Sequence, residues 1–169
     1  MKLLFAATLL TLSITAPAFA EESPFYAGAL LGPSDIESSS STAVGAFVGY
    51  KLQNVKLGNT GSLAIEGQYT SLGSITYSDH FSSFGVDAVA MFPIDTIPKL
   101  SAFGKLGVND ITGDFHCGTF CSYSRNTGLN LDFGFGAEYR FAPEFGLRAG
   151  YQYYDSNFDT IYAAAVFHF

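Results

Sequence analysis

TGLNLDFGFGAEYRF, residues Thr127–Phe141, decides the fold. Its odd positions read Leu129, Leu131, Phe133, Phe135, Ala137, Tyr139 and Phe141; its even positions read Asn130, Asp132, Gly134, Gly136, Glu138 and Arg140. A helix would smear the two sets around its surface. A strand points successive side chains to opposite faces and separates them cleanly. One face of this stretch suits lipid and the other carries charge, so the strand should divide a membrane from a polar interior.

The alternation recurs along the chain. Residues 62–72 set Leu63, Ile65 and Tyr69 against Glu66, Gln68 and Thr70. Residues 81–92 set Phe84, Val86, Ala88, Ala90 and Phe92 against Gly85, Asp87 and Val89. Residues 100–109 set Leu100, Ala102, Leu106 and Val108 against Ser101, Lys105 and Asn109. Residues 146–154 set Leu147, Ala149, Tyr151 and Tyr153 against Arg148, Gly150 and Gln152, and residues 159–169 turn Ile161, Ala163, Ala165, Phe167 and Phe169 outward. A weaker pair lies at 24–32 and 43–52, where Val44, Ala46, Val48, Tyr50 and Leu52 oppose Gly45, Phe47, Gly49 and Lys51. This makes eight strands of about the 9–11 residues that cross a bilayer at a tilt. The expectation is an all-β fold: an eight-stranded antiparallel up-and-down transmembrane β-barrel. It should be closed, since an open edge would leave backbone N–H and C=O groups unpaired in lipid at several kcal/mol each.

The N-terminus predicts how such a chain reaches a membrane. Lys2, an uncharged and mostly apolar run from Leu3 to Ala16, Pro17 and Ala18-Phe19-Ala20 form the tripartite pattern of a secretory signal peptide. The apolar run is too short for a spanning helix, which needs about 20 apolar residues. Residues 1–20 are therefore expected to be cleaved, leaving a 149-residue barrel domain at 21–169 with 7 Lys+Arg against 15 Asp+Glu, a net charge of −8. An acidic chain lacks the clustered cations that nucleic acid requires, so nucleic acid is excluded as a partner. Charged residues are only 14% of the chain, low for a soluble exported protein, whereas 18 Gly, 17 Phe and 10 Tyr suit a barrel.

Connections alternate in character. Gly32–Thr42, Gly73–His80, Ile111–Ser124 and Asp155–Phe158 are polar and are expected outside the cell. Gln53–Gly61, Pro93–Lys99 and Ala142–Phe145 are expected as periplasmic turns, with Pro98 and Pro143 where no ladder hydrogen bond is lost.

The last residues, Tyr162-Ala-Ala-Ala-Val-Phe-His-Phe169, resemble the terminal strand that the outer-membrane assembly machinery recognises, with Phe167 and Phe169 as the signal. Pro24-Phe-Tyr-Ala-Gly-Ala-Leu-Leu-Gly32, Glu138-Tyr-Arg-Phe141 and Gly146-Leu-Arg-Ala-Gly-Tyr-Gln-Tyr153 resemble the small eight-stranded barrels of the OmpA-like and opacity surface-antigen superfamily. The resemblance covers the whole mature chain and implies Sec-type export to the outer membrane of a Gram-negative cell, among lipids and lipopolysaccharide.

Parity places charges inside the barrel. Glu66, Asp87, Lys105, Glu138 and Arg148 fall on lumen-facing positions, and Lys51, Asp132 and Arg140 share that parity nearer the strand ends. A charge in a narrow lumen needs a partner or bears a desolvation cost of several kcal/mol. The expectation is an interior ion-pair network centred on Glu66, Lys105, Glu138 and Arg148, read first as a plug and second as a gated path for protons or ions.

Cys117 and Cys121 are expected to form a disulfide in an oxidising compartment; His116 beside them gives no standard zinc spacing, so no metal or other cofactor is expected. Catalysis is not expected either. Small outer-membrane barrels include lipid A deacylases, and Tyr154-Asp155-Ser156-Asn157 resembles their serine segment, but the histidine that should precede the serine is absent. Tyr26, Tyr50, Tyr69, Tyr139, Tyr151 and Tyr153 are expected in aromatic girdles at the membrane interfaces. Two functions stand: a structural or surface-interaction barrel, with a possible extracellular ligand at its loops, and, as the alternative, a narrow gated pore for ions or small solutes. A lipid A-modifying hydrolase is a third.

Overall fold

The computed structural model describes residues 23–36, 39–74, 79–116, 122–156 and 158–169. The expected signal peptide, Cys117 and Cys121 lie outside the described residues. Eight strands follow one another: β1 (Phe25–Ile36), β2 (Ser39–Leu57), β3 (Gly61–Gly73), β4 (Asp79–Pro93), β5 (Leu100–His116), β6 (Ser122–Arg140), β7 (Phe145–Asp155) and β8 (Phe158–His168). Each pairs antiparallel with the next, and β8 returns to β1, so the sheet closes.

The alternation read from the sequence is the alternation of the wall. Leu129, Leu131, Phe133, Phe135 and Tyr139 are exposed on β6, while Asp132 and Glu138 are buried. Val44, Val48, Ile65, Phe84, Leu106, Leu147 and Ile161 continue the apolar outer band around the barrel. In water such a band would be a severe liability; against acyl chains it is the surface a membrane barrel requires.

The strands run further than alternation alone indicated. Stretches expected as external loops are largely strand: β1 reaches Ile36, β2 begins at Ser39, β5 continues to His116 and β6 starts at Ser122. Hydrophobic alternation fades outside the membrane because no lipid enforces it there, while backbone pairing persists. Pro33 shows how the ladder tolerates a missing donor. It pairs in register with Thr42 of β2, but Gly32 and Pro33 have no partner on β8, where pairing stops at Leu31↔Ala163 and resumes at Ser34↔Thr160. Ser34 Oγ crosses to the Asp159 carbonyl at 3.2 Å beside this gap.

At the other end the turns are tight. The long turn expected at Gln53–Gly61 shrinks to Gly58–Thr60, because β2 extends to Leu57 after an irregularity between Lys51 and Lys56. Phe25 of β1 and His168 of β8 both lie at this end, so it carries the chain termini.

Candidate functional site

The lumen is layered. Nearest the termini, Tyr26, Phe47, Ala64, Val89, Met91, Phe103 and Val166 belong to one apolar cluster. At the far end, Ile36, Leu72, Phe81, Ile111, Tyr154 and Phe158 form another. The charged residues predicted for the interior are all there, buried on β3 to β7: Glu66, Asp87, Lys105, Asp132, Glu138 and Arg148. Lys51 and Arg140 sit at the termini end and keep partial exposure.

Arg148 is the hub. Its Nη1 donates to Glu66 Oε2 at 2.7 Å, and its Nε and Nη2 donate to Glu138 Oε2 at 3.1 and 3.0 Å. Glu138 and Arg148 are direct cross-strand partners, so register alone aligns the pair. Glu66 arrives from β3, across the lumen. Three rings close around the guanidinium, Phe47 at 4.6 Å, Phe103 at 5.0 Å and Tyr26 at 5.4 Å from ring centroid to Cζ. Guanidinium is weakly hydrated and planar, which suits this combination of carboxylate forks and aromatic faces. Tyr26 OH also donates to Glu66 Oε2 at 3.0 Å, and His168 Nε2 meets Glu138 Oε1 at 2.9 Å.

Tyr26 therefore corrects the girdle expected from the sequence. Its neighbour Phe25 faces out, and Tyr26 faces the lumen, only 1% exposed. The ring lies directly over Gly49, where any Cβ would collide with it, so the glycine opposite makes the room. His168, Gln68 and Tyr154 were likewise not singled out as members of the interior network. Strand parity could have found all four, since each shares its strand's lumen-facing register.

The second group is built on β3, β4 and β5. Lys105 Nζ donates to Gln68 Oε1 at 2.6 Å and stands 3.5 Å from both Glu66 Oε1 and Asp87 Oδ2. Glu66 and Asp87 are themselves cross-strand partners, a like-charge juxtaposition that Lys105 offsets from the third strand. Gln68 passes its amide to Thr70 Oγ1 and Tyr154 OH, both at 2.9 Å. Asp132, on β6, receives Asn109 Nδ2 at 3.2 Å. Among the described residues, no three His, Cys, Asp or Glu side chains gather as metal ligands.

Outside the lumen, His80 Nε2 lies 3.1 Å from Ser71 Oγ in an exposed pair on the outer wall. The Ser156 backbone N–H donates to Asp155 Oδ1 at 2.6 Å. His116 and the cysteine segment carry no described side-chain geometry.

The closed eight-stranded sheet, lipid-facing band and charged lumen meet the family independently in sequence. A profile of the outer membrane protein β-barrel domain matches residues 5–169. The chain belongs to that family. It is thus a barrel of the cell outer membrane. No curated protein sequence matches it significantly. Among solved structures it is similar to Ail, the attachment invasion locus protein of Yersinia pestis, at 19% identity and TM-score 0.64, covering 87% of this chain and 97% of that one. It is also similar to the N-terminal β-barrel domain of Pseudomonas aeruginosa OprF, at 14% identity and TM-score 0.62, covering 88% and 100%. Neisserial surface protein A follows at 17% identity and TM-score 0.57, covering 88% and 99%. At these identities the likeness is one of fold.

Proposed function

We propose that this outer-membrane barrel is a sealed, non-catalytic structural element that meets its surroundings with its outer hairpins. The observation that carries the reading is the layering of the lumen. The buried ion pairs interleave with one apolar cluster, whose Tyr26, Phe47 and Phe103 rings pack on Arg148, and a second apolar cluster closes the far end, so an ion would have to break both the Arg148 forks and the apolar packing to pass. Between Gln68, Ser83, Gly85, Asp87, Asp132, Gln152 and Tyr154 no position is wide enough for a water molecule. Eight strands enclose little more than side chains in any case.

What remains available for interaction is the outer end. β5 and β6 are 17 and 19 residues long against the roughly 10 that cross a bilayer. The excess of about seven residues on β5 makes a stiff hairpin of roughly 20 Å of strand, at ~3.3 Å per residue. β7 and β8 are only 11 residues each, so the rim is tall on one side and low on the other. Among the described residues Asp35, Asp110, Asp155 and Asp159 fall at the outer strand ends. The Ail structure was solved with the heparin analogue sucrose octasulfate. That polyanion does not suit so acidic a rim, which favours cationic ligands instead. Its other partners on this reading are lipopolysaccharide and membrane lipids along the outer band, and the assembly machinery at Phe167 and Phe169.

Purified protein in planar bilayers tests the seal. Silence under applied voltage is expected. Discrete openings that disappear in Arg148→Ala or Glu138→Ala would overturn the sealed barrel in favour of the pore. Binding of polylysine and not of sucrose octasulfate is expected at the outer rim, and the reverse preference would remove its electrostatic basis. Hydrolysis of lipid A that is lost in Ser156→Ala would overturn the non-catalytic assignment.

A further inference from the structure

Cations are spread unevenly over the lumen. Among the described residues Glu66, Asp87, Asp132 and Glu138 are buried acids and Lys105 and Arg148 buried cations, while Arg140 and His168 reach Glu138 from the termini end. Arg148 is committed to Glu66 and Glu138. Lys105 is divided between Glu66 and Asp87, each at 3.5 Å. Asp87 and Asp132 are the least served: Asp87 has a share of Lys105, and no lysine or arginine stands at ion-pair distance from Asp132 among the described residues. They occupy β4 and β6, on either side of Gly107, with which both are in register. Asp87 folds over Gly107, where a Cβ would strike its carboxylate, and the two carboxyl groups lie against each other.

The oxygens here are also short of hydrogen bonds, although Lys105 Nζ stands 3.5 Å from Asp87 Oδ2. Both carboxylate oxygens of Asp87 and Oδ1 of Asp132 accept no hydrogen bond within the described residues, nor does Oε1 of Gln152. Gln152, 1% exposed, is a neutral side chain on β7 that lines the same small space as both aspartates, together with Ser83. Unpaired buried oxygens cost free energy unless something positive meets them. As the side chains stand, no water-sized sphere fits in this space. A desolvated hard cation draws oxygens to about 2.3–2.6 Å, closer than a hydrogen bond from water.

We propose that Asp87, Asp132 and Gln152, with the Ser83 hydroxyl at their edge, form an internal site for a divalent cation of calcium's size. Two carboxylates match a divalent charge. Magnesium dehydrates reluctantly and keeps several waters, for which this space has no room; calcium accepts mixed oxygen ligands in irregular geometry. The apolar cluster of Ile36, Leu72, Phe81, Ile111 and Phe158 covers the outer side, so the ion would be captured as the barrel closes and held afterwards. The inference goes beyond the sealed-barrel reading and survives its failure, because it concerns only how the interior balances its charge.

Terbium substitutes for calcium and is sensitised by tyrosine. Tyr154 lines the site, and the chain has 10 Tyr and no Trp. Full-length mature protein is unfolded in urea and refolded into detergent with terbium, alone or with calcium or magnesium in competition. Folding is followed by the change in gel migration on boiling. Expected are sensitised emission from folded protein, suppression by calcium but not magnesium, and a lifetime nearly equal in H₂O and D₂O, since no water reaches the ion. Asp87→Asn and Asp132→Asn should abolish the emission while the barrel still folds; Gln152→Leu, which leaves all charges in place, should weaken calcium competition at least several-fold. Absence of emission means the two carboxyl groups share a proton instead, and overturns the site. So does emission that lengthens markedly in D₂O or persists in Asp132→Asn, since that places terbium on surface acids.

Discussion

Arg148 and the Asp87–Asp132 pair sit in one lumen, on strands of one sheet, and were placed inside by one alternation, yet they are satisfied to very different degrees. Arg148 spends its fork on two carboxylates and is walled by three rings. Its cross-strand neighbour is Glu138, of opposite charge. Asp87 has Glu66 as its neighbour across the strand, of the same charge, and shares one lysine with it. Parity decides whether a side chain is inside. Register decides whom it meets there, and register is a property of two strands at once. The difference teaches that burying a charge and pairing it are separate steps, and that only the first is written in a single strand.

The largest effect should come from removing the hub. Arg148→Met keeps the apolar stem against Phe47 and Phe103 but leaves Glu66 and Glu138 facing each other without their cation. Breaking a buried pair from one side typically costs about 3–5 kcal/mol. The urea midpoint of the detergent-refolded barrel should fall accordingly, and a midpoint unchanged from wild type would show that the network adds nothing to stability. Leu106→Arg asks whether arginine or its surroundings matter. Leu106 lies on the same strand as Lys105 but is 63% exposed on the outer band. An arginine there has lipid and no partner, at about 2–4 kcal/mol near the bilayer midplane. The loss should appear when the barrel folds into vesicles. Tyr26→Phe is finer: it retains the ring over Gly49 and beside Arg148, and removes only the 3.0 Å bond to Glu66. A hydrogen bond to a charged group is worth about 1.5–3 kcal/mol, and the lower end is expected because Arg148 still serves the same oxygen.

The sequence made the barrel legible because lipid imposes period-two alternation on every crossing. Thr127–Phe141 alone separates its faces, and the interior charges followed by parity. Three things were less legible. The strands beyond the membrane, such as the continuation of β5 past Ile111, lose the alternation because no lipid enforces an apolar outer face there, although backbone pairing continues through them. Tyr26 was misplaced because a tyrosine near a strand end is chemically suited to the interface as well as to the lumen; one step of parity from Phe25 would have decided it. The partnership of Glu66 with Arg148 is 82 residues apart in sequence and spans the lumen, so neither strand's pattern contains it. Closure of the whole barrel brings the two together.

The smallest effect, and the one that most sharpens the comparison, belongs to Asp132→Asn measured with chelator present. The substitution weakens one acceptor of Asn109 Nδ2, at 3.2 Å already a long bond. It also removes a negative charge that Asp87 repels and that no lysine or arginine approaches closely among the described residues. A charge-assisted bond lost against like-charge repulsion relieved should leave stability within about 1 kcal/mol of wild type, with a gain as the expected sign. Arg148→Met and Asp132→Asn each delete one buried charge, so a model in which every buried charge is equally paired predicts similar losses. Opposite signs in the two urea midpoints would locate the pairing at Arg148 and the surplus at Asp132; a loss of several kcal/mol from Asp132→Asn would mean that Asp132 has a cationic partner even in chelator.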